Sequence, residues 1–201
     1  MDKPLNRAWK VADFRALPFL IYFFGILGIL MVGYWVSVFY EAHAYQKRAL
    51  RNFGNTAIPH RQPAHYPKPG SGIAILSIPR LGMFSLVVEG ADDDELKVAP
   101  GHIRGTAFPG GAGNIGIAGH RDTFFRPLRN IRLGDVITLA TRERKFQYRV
   151  ASTEVVRPRD VGVLNRTAQE TLTLVTCYPF SFVGSAPKRF IVHAVCENCG
   201  Q

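Results

Sequence analysis

The chain has 201 residues, room for one domain of ordinary size plus appendages. Hydrophobic residues make up 47% and charged residues 20%, which excludes wholesale disorder and supplies a real core. Lys and Arg number 25 against 15 Asp and Glu, a net charge of +10, which favours anionic neighbours such as lipid headgroups, envelope polymers or nucleic acid. No base-reading motif or basic helix accompanies that charge, which argues against nucleic acid.

From Ala16 to Tyr40 no residue is charged. The stretch "ALPFLIYFFGILGILMVGYWVSVFY" exceeds the roughly 20 residues that span a bilayer core. Tyr34, Trp35 and Tyr40 gather near its far end, where interfacial aromatics belong. Lys3, Arg7, Lys10 and Arg15 precede it and place the N-terminus in the cytoplasm, although Lys47, Arg48 and Arg51 follow on the other side. "AHA" at 42–44 fits a signal-peptide cleavage site. The apolar run is nevertheless much longer than the 7–15 residues of a signal core, so a retained transmembrane anchor is expected.

The layout that follows is a tail at 1–15, a transmembrane helix at 16–40, a stalk at 41–70 and a folded domain at 71–201. "EAHAYQKRALRN" can continue as a polar helix, whereas "FGNTAIPHRQPAHYPKPG" carries four prolines and two glycines and reads as linker. His60 and His65 in that linker are read as solvated.

Beyond residue 71, short strands alternate with turn signals. "GIAILSI", "FSLVVEG", "GNIGIAG", "GDVITLAT", "RKFQYRVASTEVV", "ETLTLVTC" and "KRFIVHAVC" make about seven or eight strands. Such spacing predicts an all-β domain, an antiparallel barrel or sandwich. One short helix is expected at "DDDELKVA", with Asp92 as N-cap and Glu95 at the capping-box position. The same acids, Asp92 to Glu95, could alternatively hold a cation such as calcium.

Chemistry enters at "TLTLVTCYPF". A β-branched, alternating run ends on Cys177, and Pro179 stops regular pairing two residues later. The thiol therefore sits at a strand's mouth. A nucleophilic thiolate needs a cationic neighbour and an acid for the leaving group, most often histidine. His120 lies just past the strand "NIGIAG" and meets that need by position. His193 falls inside the strand "RFIVHAV", where a strand-face role is expected, and His102 is a loop residue that stays open. Arg189 begins the strand after that of Cys177, so both belong at one edge of a hairpin. Its planar, permanently charged donors suit a developing oxyanion. The intervening "YPFSFVGSAPK" is long enough to wall a groove.

These segments resemble the sortases, membrane-anchored cysteine transpeptidases of bacterial envelopes. "TLVTC" at 173–177 matches the family's T-L-x-T-C signature, "GNIGIAGHRDTFF" is similar to its catalytic-histidine segment, and "APKRFIVHA" to the segment of its essential arginine. The resemblance covers residues 71–195 and the anchor. The wording "HRDT" and "GSAPKRF" is most like class D or the Gram-negative type.

The resemblance implies a closed eight-stranded sortase-type β-barrel with short helices, preceded by one N-terminal transmembrane helix. It implies catalytic roles for His120, Cys177 and Arg189, and a thioacyl intermediate formed on an LPXTG-like sorting signal. It implies protein substrates carrying C-terminal sorting signals, an amine acceptor of the cell envelope, and chemistry that requires no cofactor. Segment 157–169 matches where sortases place a substrate loop. Thr176 is left out of the catalytic set, because its side chain could simply pack in the barrel.

"CENC" at 196–199 has no counterpart in that pattern. A disulfide between Cys196 and Cys199 would leave Cys177 unpaired, as catalysis needs. A flexible tail with free thiols, or a zinc half-site with His193, are the alternatives. Outside transfer chemistry two readings stay open: a membrane-tethered β module that binds an anionic envelope polymer, and a thiol hydrolase of sorting-signal peptides.

Overall fold

A computed structural model describes residues 17–53, 67–182 and 184–199. The expected tail at 1–15 and most of the proline-rich linker therefore lie outside the described residues. By contacts the chain divides into two units, Met1–Glu41 and Ala42–Gln201.

In the first unit the described residues belong to helix α1 (Leu17–Phe53). Pro18–Ser37 is a stretch of 20 residues with mean hydropathy 2.2, and none of it is buried. That length and hydropathy are enough to cross a bilayer core.

The remainder of α1 belongs to the second unit, where Tyr45 and Leu50 pack on a small cluster of Leu86, Val88 and Ala99. The Gln46 side chain works as a backbone substitute. Its Oε1 accepts from Leu86 N at 2.9 Å and its Nε2 donates to Val98 O at 3.0 Å. The Tyr45 hydroxyl donates to Gly70 O at 3.0 Å.

Eight strands follow: β1 (Gly72–Ile78), β2 (Met83–Glu89), β3 (Gly101–His102), β4 (Asn114–Ala118), β5 (Val136–Ala140), β6 (Lys145–Val156), β7 (Thr171–Tyr178) and β8 (Lys188–Cys196). They close into a barrel in the order β1-β2-β3-β4-β7-β8-β6-β5. Closure gives every strand two neighbours and removes exposed edges. The inward set follows a period of two. Along β6, Phe146, Tyr148 and Val150 are buried while Lys145, Gln147 and Arg149 are exposed. Leu76, Ile78, Ile115, Ile117, Leu172 and Leu174 complete that interior. Each such side chain contributes about 1.5–3 kcal/mol by leaving water.

The barrel is not wholly antiparallel, as the strand spacing alone had suggested. β2 pairs with β3, and β4 with β7, in parallel. The β4–β7 pair is joined through β5 and β6, a crossover that spacing does not reveal.

The short helix is α2 (Asp93–Val98). Asp92 occupies its N-cap position but makes no side-chain cap bond. Its carboxylate instead faces Arg104 at 3.5 Å, and Asp94 faces Lys97 at 2.8 Å. Asp92 and Asp94 are thus each paired with a cation.

Where β2 and β3 meet, the backbones nearly touch. A Cβ on Gly101 would stand 2.0 Å from the carbonyl oxygen of Gly90. A backbone atom cannot swing aside as a side chain can. Gly101→Ala is expected to cost about 3 kcal/mol, read as a Tm lowered by about 10 °C in thermal unfolding of the full chain in detergent.

Candidate active site

β7 lies between β4 and β8, and the site is built on that order. Leu172, Leu174 and Thr176 are buried, so Thr171, Thr173, Val175 and Cys177 fall on the opposite, outer face. Cys177 is directly opposite Arg189 in the antiparallel β7–β8 register. Opposed residues of such a pair project from the same face, with Cβ atoms about 5 Å apart.

On the other flank, the parallel register runs through Ala118 opposite Val175. Gly119 N continues it by donating to Val175 O at 3.1 Å. His120 and Cys177 each lie two residues beyond that last pair. The ends of β4 and β7 and the start of β8 thus meet at one end of the barrel, and the three expected residues come together there. All three are partly buried.

Local chemistry fixes where His120 leaves the sheet. The Thr176 hydroxyl points inward and donates to Gly119 O at 2.7 Å. The His120 carbonyl then accepts from Phe125 N at 3.0 Å, which wraps the following turn around it. The Phe125 ring is fully buried and lies against Gly119, where a Cβ would stand 2.8 Å from the ring. Glycine is what lets the ring sit there. Thr176 is therefore a packing residue in the barrel and also a support for the histidine segment.

Arg189 is tied to its own loop. Nη1 donates to Ala186 O at 3.2 Å and to Lys188 O at 3.0 Å. That arrangement steadies the guanidinium beside the strand that carries Cys177.

The sequence had not pointed to Arg121. It is 5% exposed and follows His120 directly. Nη1 donates to Pro179 O at 3.0 Å, and Nη2 donates to Gly184 O at 3.1 Å and to Phe182 O. Its Nε lies 3.4 Å from Asp122 Oδ2. One side chain thus ties the segment after Cys177 to the segment of His120. The only sign in the sequence was adjacency to the histidine, which a solvated loop arginine would show equally. Tyr178, Phe180 and Phe190 pack at centroid distances of 5.4–6.4 Å, Phe180 edge-on to the other two rings, and stiffen the same loop.

His102 is buried on β3, with Nδ1 2.8 Å from Glu89 Oε2, and takes no part in this end of the barrel's outer face. Cys196 and Cys199 form a disulfide with Cα atoms 5.7 Å apart, and Cys177 is the free thiol. The half-site that His193 would make with those sulfurs does not assemble, because the sulfurs bond each other and the imidazole faces Thr173 and Glu154. The arrangement offers a thiol, an imidazole and a guanidinium at one sheet end, which suits nucleophilic acyl transfer.

Comparison with known proteins agrees with that chemistry. A family model described as a sortase domain matches residues 76–197. A protein named Sortase D from Bacillus subtilis is 38% identical over 128 residues, covering 63% of this chain and 65% of the relative. Sortase SrtE1 from Streptomyces coelicolor is 33% identical over 188 residues, 82% of this chain and 53% of the relative. The chain thus spans between about half and two thirds of these curated relatives. Among solved structures, a Clostridium perfringens sortase D5 described as a transpeptidase superposes with a TM-score of 0.67 at 31% identity. That match covers 80% of this chain and 99% of the other.

Proposed function

Because this chain belongs to the sortase family, we propose that it is a membrane-anchored cysteine transpeptidase that cleaves LPXTG-like sorting signals and passes the acyl group to an amine. The supporting observation is the register that sets Cys177 opposite Arg189, with His120 two residues past the end of the parallel neighbour strand. The Cys177 sulfur, as thiolate, attacks the carbonyl carbon of the signal's threonine. The tetrahedral oxyanion takes hydrogen bonds from Arg189. His120 donates a proton to the departing amine as the C–N bond breaks, leaving a thioester. An envelope amine then attacks that thioester, His120 takes its proton, and the Cys177 thiolate leaves. The resemblance to class D supplies the sorting-signal substrate.

The uncharged stretch within 16–40 serves as the anchor. Lys3, Arg7, Lys10 and Arg15 favour a cytoplasmic N-terminus, which puts residues 71–201 on the envelope side.

The test uses the full chain in detergent with sorting-signal peptides and candidate amines. A ligated product is expected. Free acid alone makes the protein a thiol hydrolase. No product from any peptide removes the enzymatic reading and favours a tethered module for an anionic polymer.

A further inference from the structure

A second polar cluster lies on the same face of the sheet, below Cys177. Thr173 is four residues before Cys177 on β7, and His193 is four residues after Arg189 on β8. Both pairs are in register, so all four side chains project outward, the two pairs separated by about 13 Å. His193 Nδ1 is 3.2 Å from the Thr173 hydroxyl, and Nε2 is 2.9 Å from Glu154 Oε1 on β6. The Thr173 hydroxyl donates to Asn114 Oδ1 on β4 at 2.8 Å. Asn114 Nδ2 donates to the carbonyl of Val163 at 3.0 Å. A row of side chains therefore crosses β6, β8, β7 and β4 and ends on the backbone of segment 157–170, with a branch at Asn114 Oδ1, which also accepts from Thr171 at 3.3 Å, itself 2.9 Å from Thr167 of that segment.

The direction of donation is set from the loop end. Asn114 spends its amide N–H on Val163, so its oxygen must accept. Thr173 has one proton and gives it to that oxygen, so toward His193 it can only accept. His193 Nδ1–H supplies the donor. At its other nitrogen, Nε2, the ring faces Glu154 Oε1. Thr173 is fully buried and Asn114 is 3% exposed, so neither has water as a ready substitute.

The segment held by this row is the one that leads into β7. Its Leu164 packs over Gly116 of β4, where a Cβ would stand 3.0 Å from the Leu164 methyl. Val163, Arg166 and Thr167 line a groove whose floor includes Thr173 and His193. Thr173 and His193 share the outer face of β7 and β8 with Cys177 and Arg189, with Val175 and the fully buried Ile191 between the two pairs.

We propose that Glu154, His193, Thr173 and Asn114 form a latch that holds segment 157–170 against β4, with His193 as its positioning residue. This rests on the transpeptidase reading for one point: the latched segment walls the groove through which the peptide reaches Cys177. His193 touches neither the scissile bond nor Cys177. It acts by keeping Thr173 and Asn114 aimed at the loop.

The test compares full-length wild type with His193→Ala, His193→Gln and Thr173→Val in detergent. His193 has 28% of its side chain exposed, so the barrel tolerates its loss. Amide exchange of residues 157–170 is expected to rise about tenfold in His193→Ala and Thr173→Val, the effect of breaking one link of a buried row. Exchange in β7 and β8 is expected to stay unchanged. The KM for a sorting-signal peptide is expected to rise about tenfold with kcat within about twofold, since binding and not chemistry is disturbed. His193→Gln restores a donor toward Thr173 and is expected to recover part of both effects.

Unchanged exchange of the segment in both His193→Ala and Thr173→Val overturns the latch. A loosened segment with an unmoved KM overturns its part in peptide binding. If the wild type turns over no sorting peptide while the segment still loosens in His193→Ala, the transpeptidase reading fails and the latch stands.

Discussion

Cys177→Ala is expected to leave the barrel folded and to lower acyl transfer by at least about 10⁴-fold, the scale seen when a covalent nucleophile is removed from its constellation. The thiol is partly exposed at the end of β7 and carries little of the core, which is built from Leu172, Leu174 and their neighbours. Removing one sulfur there is expected to cost less than about 1 kcal/mol, so lost activity cannot be blamed on lost structure. The disulfide adds a second readout. With Cys196 and Cys199 joined, Cys177 is the one alkylatable thiol of a three-cysteine chain. Unreduced wild type is expected to take a single alkyl group by mass spectrometry, and Cys177→Ala none. His120→Ala is expected to fall short of that loss, at about 10²–10⁴-fold, because the nucleophile remains and only proton transfer is gone. Turnover retained by Cys177→Ala would remove this sulfur from the mechanism.

The strand pattern was legible because a barrel wall with one face inward imposes a period of two, as Phe146, Tyr148 and Val150 display. β3 escaped notice because two residues cannot show a period. Its function is real nonetheless, since Gly101 and His102 carry the sheet from β2 to β4. Cys177, His120 and Arg189 were legible as strand-end residues; the register sets Cys177 opposite Arg189, and His120 lies two residues past the end of β4. Their supports were not legible. Thr176 reads as one more β-branched wall residue until its hydroxyl is seen on Gly119 O. His193 reads as an ordinary strand-face residue, and only the lateral order of four strands connects it to Val163. Asp92 was foreseen at the N-cap and stands there, but its carboxylate faces Arg104 and makes no cap bond.

Arg121→Ala is expected to reduce kcat/KM by about 10²-fold or more, although Arg121 is not a reacting group. Its guanidinium serves three carbonyls, those of Pro179, Phe182 and Gly184, on a segment some sixty residues away in sequence. Truncation leaves those oxygens without their donor and opens a buried space beside them. The expected stability loss is about 2–4 kcal/mol. A purely structural residue would show that loss and no more. Arg121 differs because its neighbour in the chain is His120, and its partners follow Cys177 by two to seven residues. Through those neighbours it is expected to set the separation of imidazole and sulfur, so kcat is expected to fall more than KM rises. Arg121→Lys separates charge from geometry. A lysine keeps the cation but presents a compact head that cannot span three carbonyls in a plane. If charge alone mattered, that variant would keep full activity. The fork is what the site uses, so Arg121→Lys is expected to lose about tenfold or more in kcat at temperatures well below its Tm. Wild-type kcat in a folded Arg121→Lys protein would show that the clamp does not position the catalytic pair.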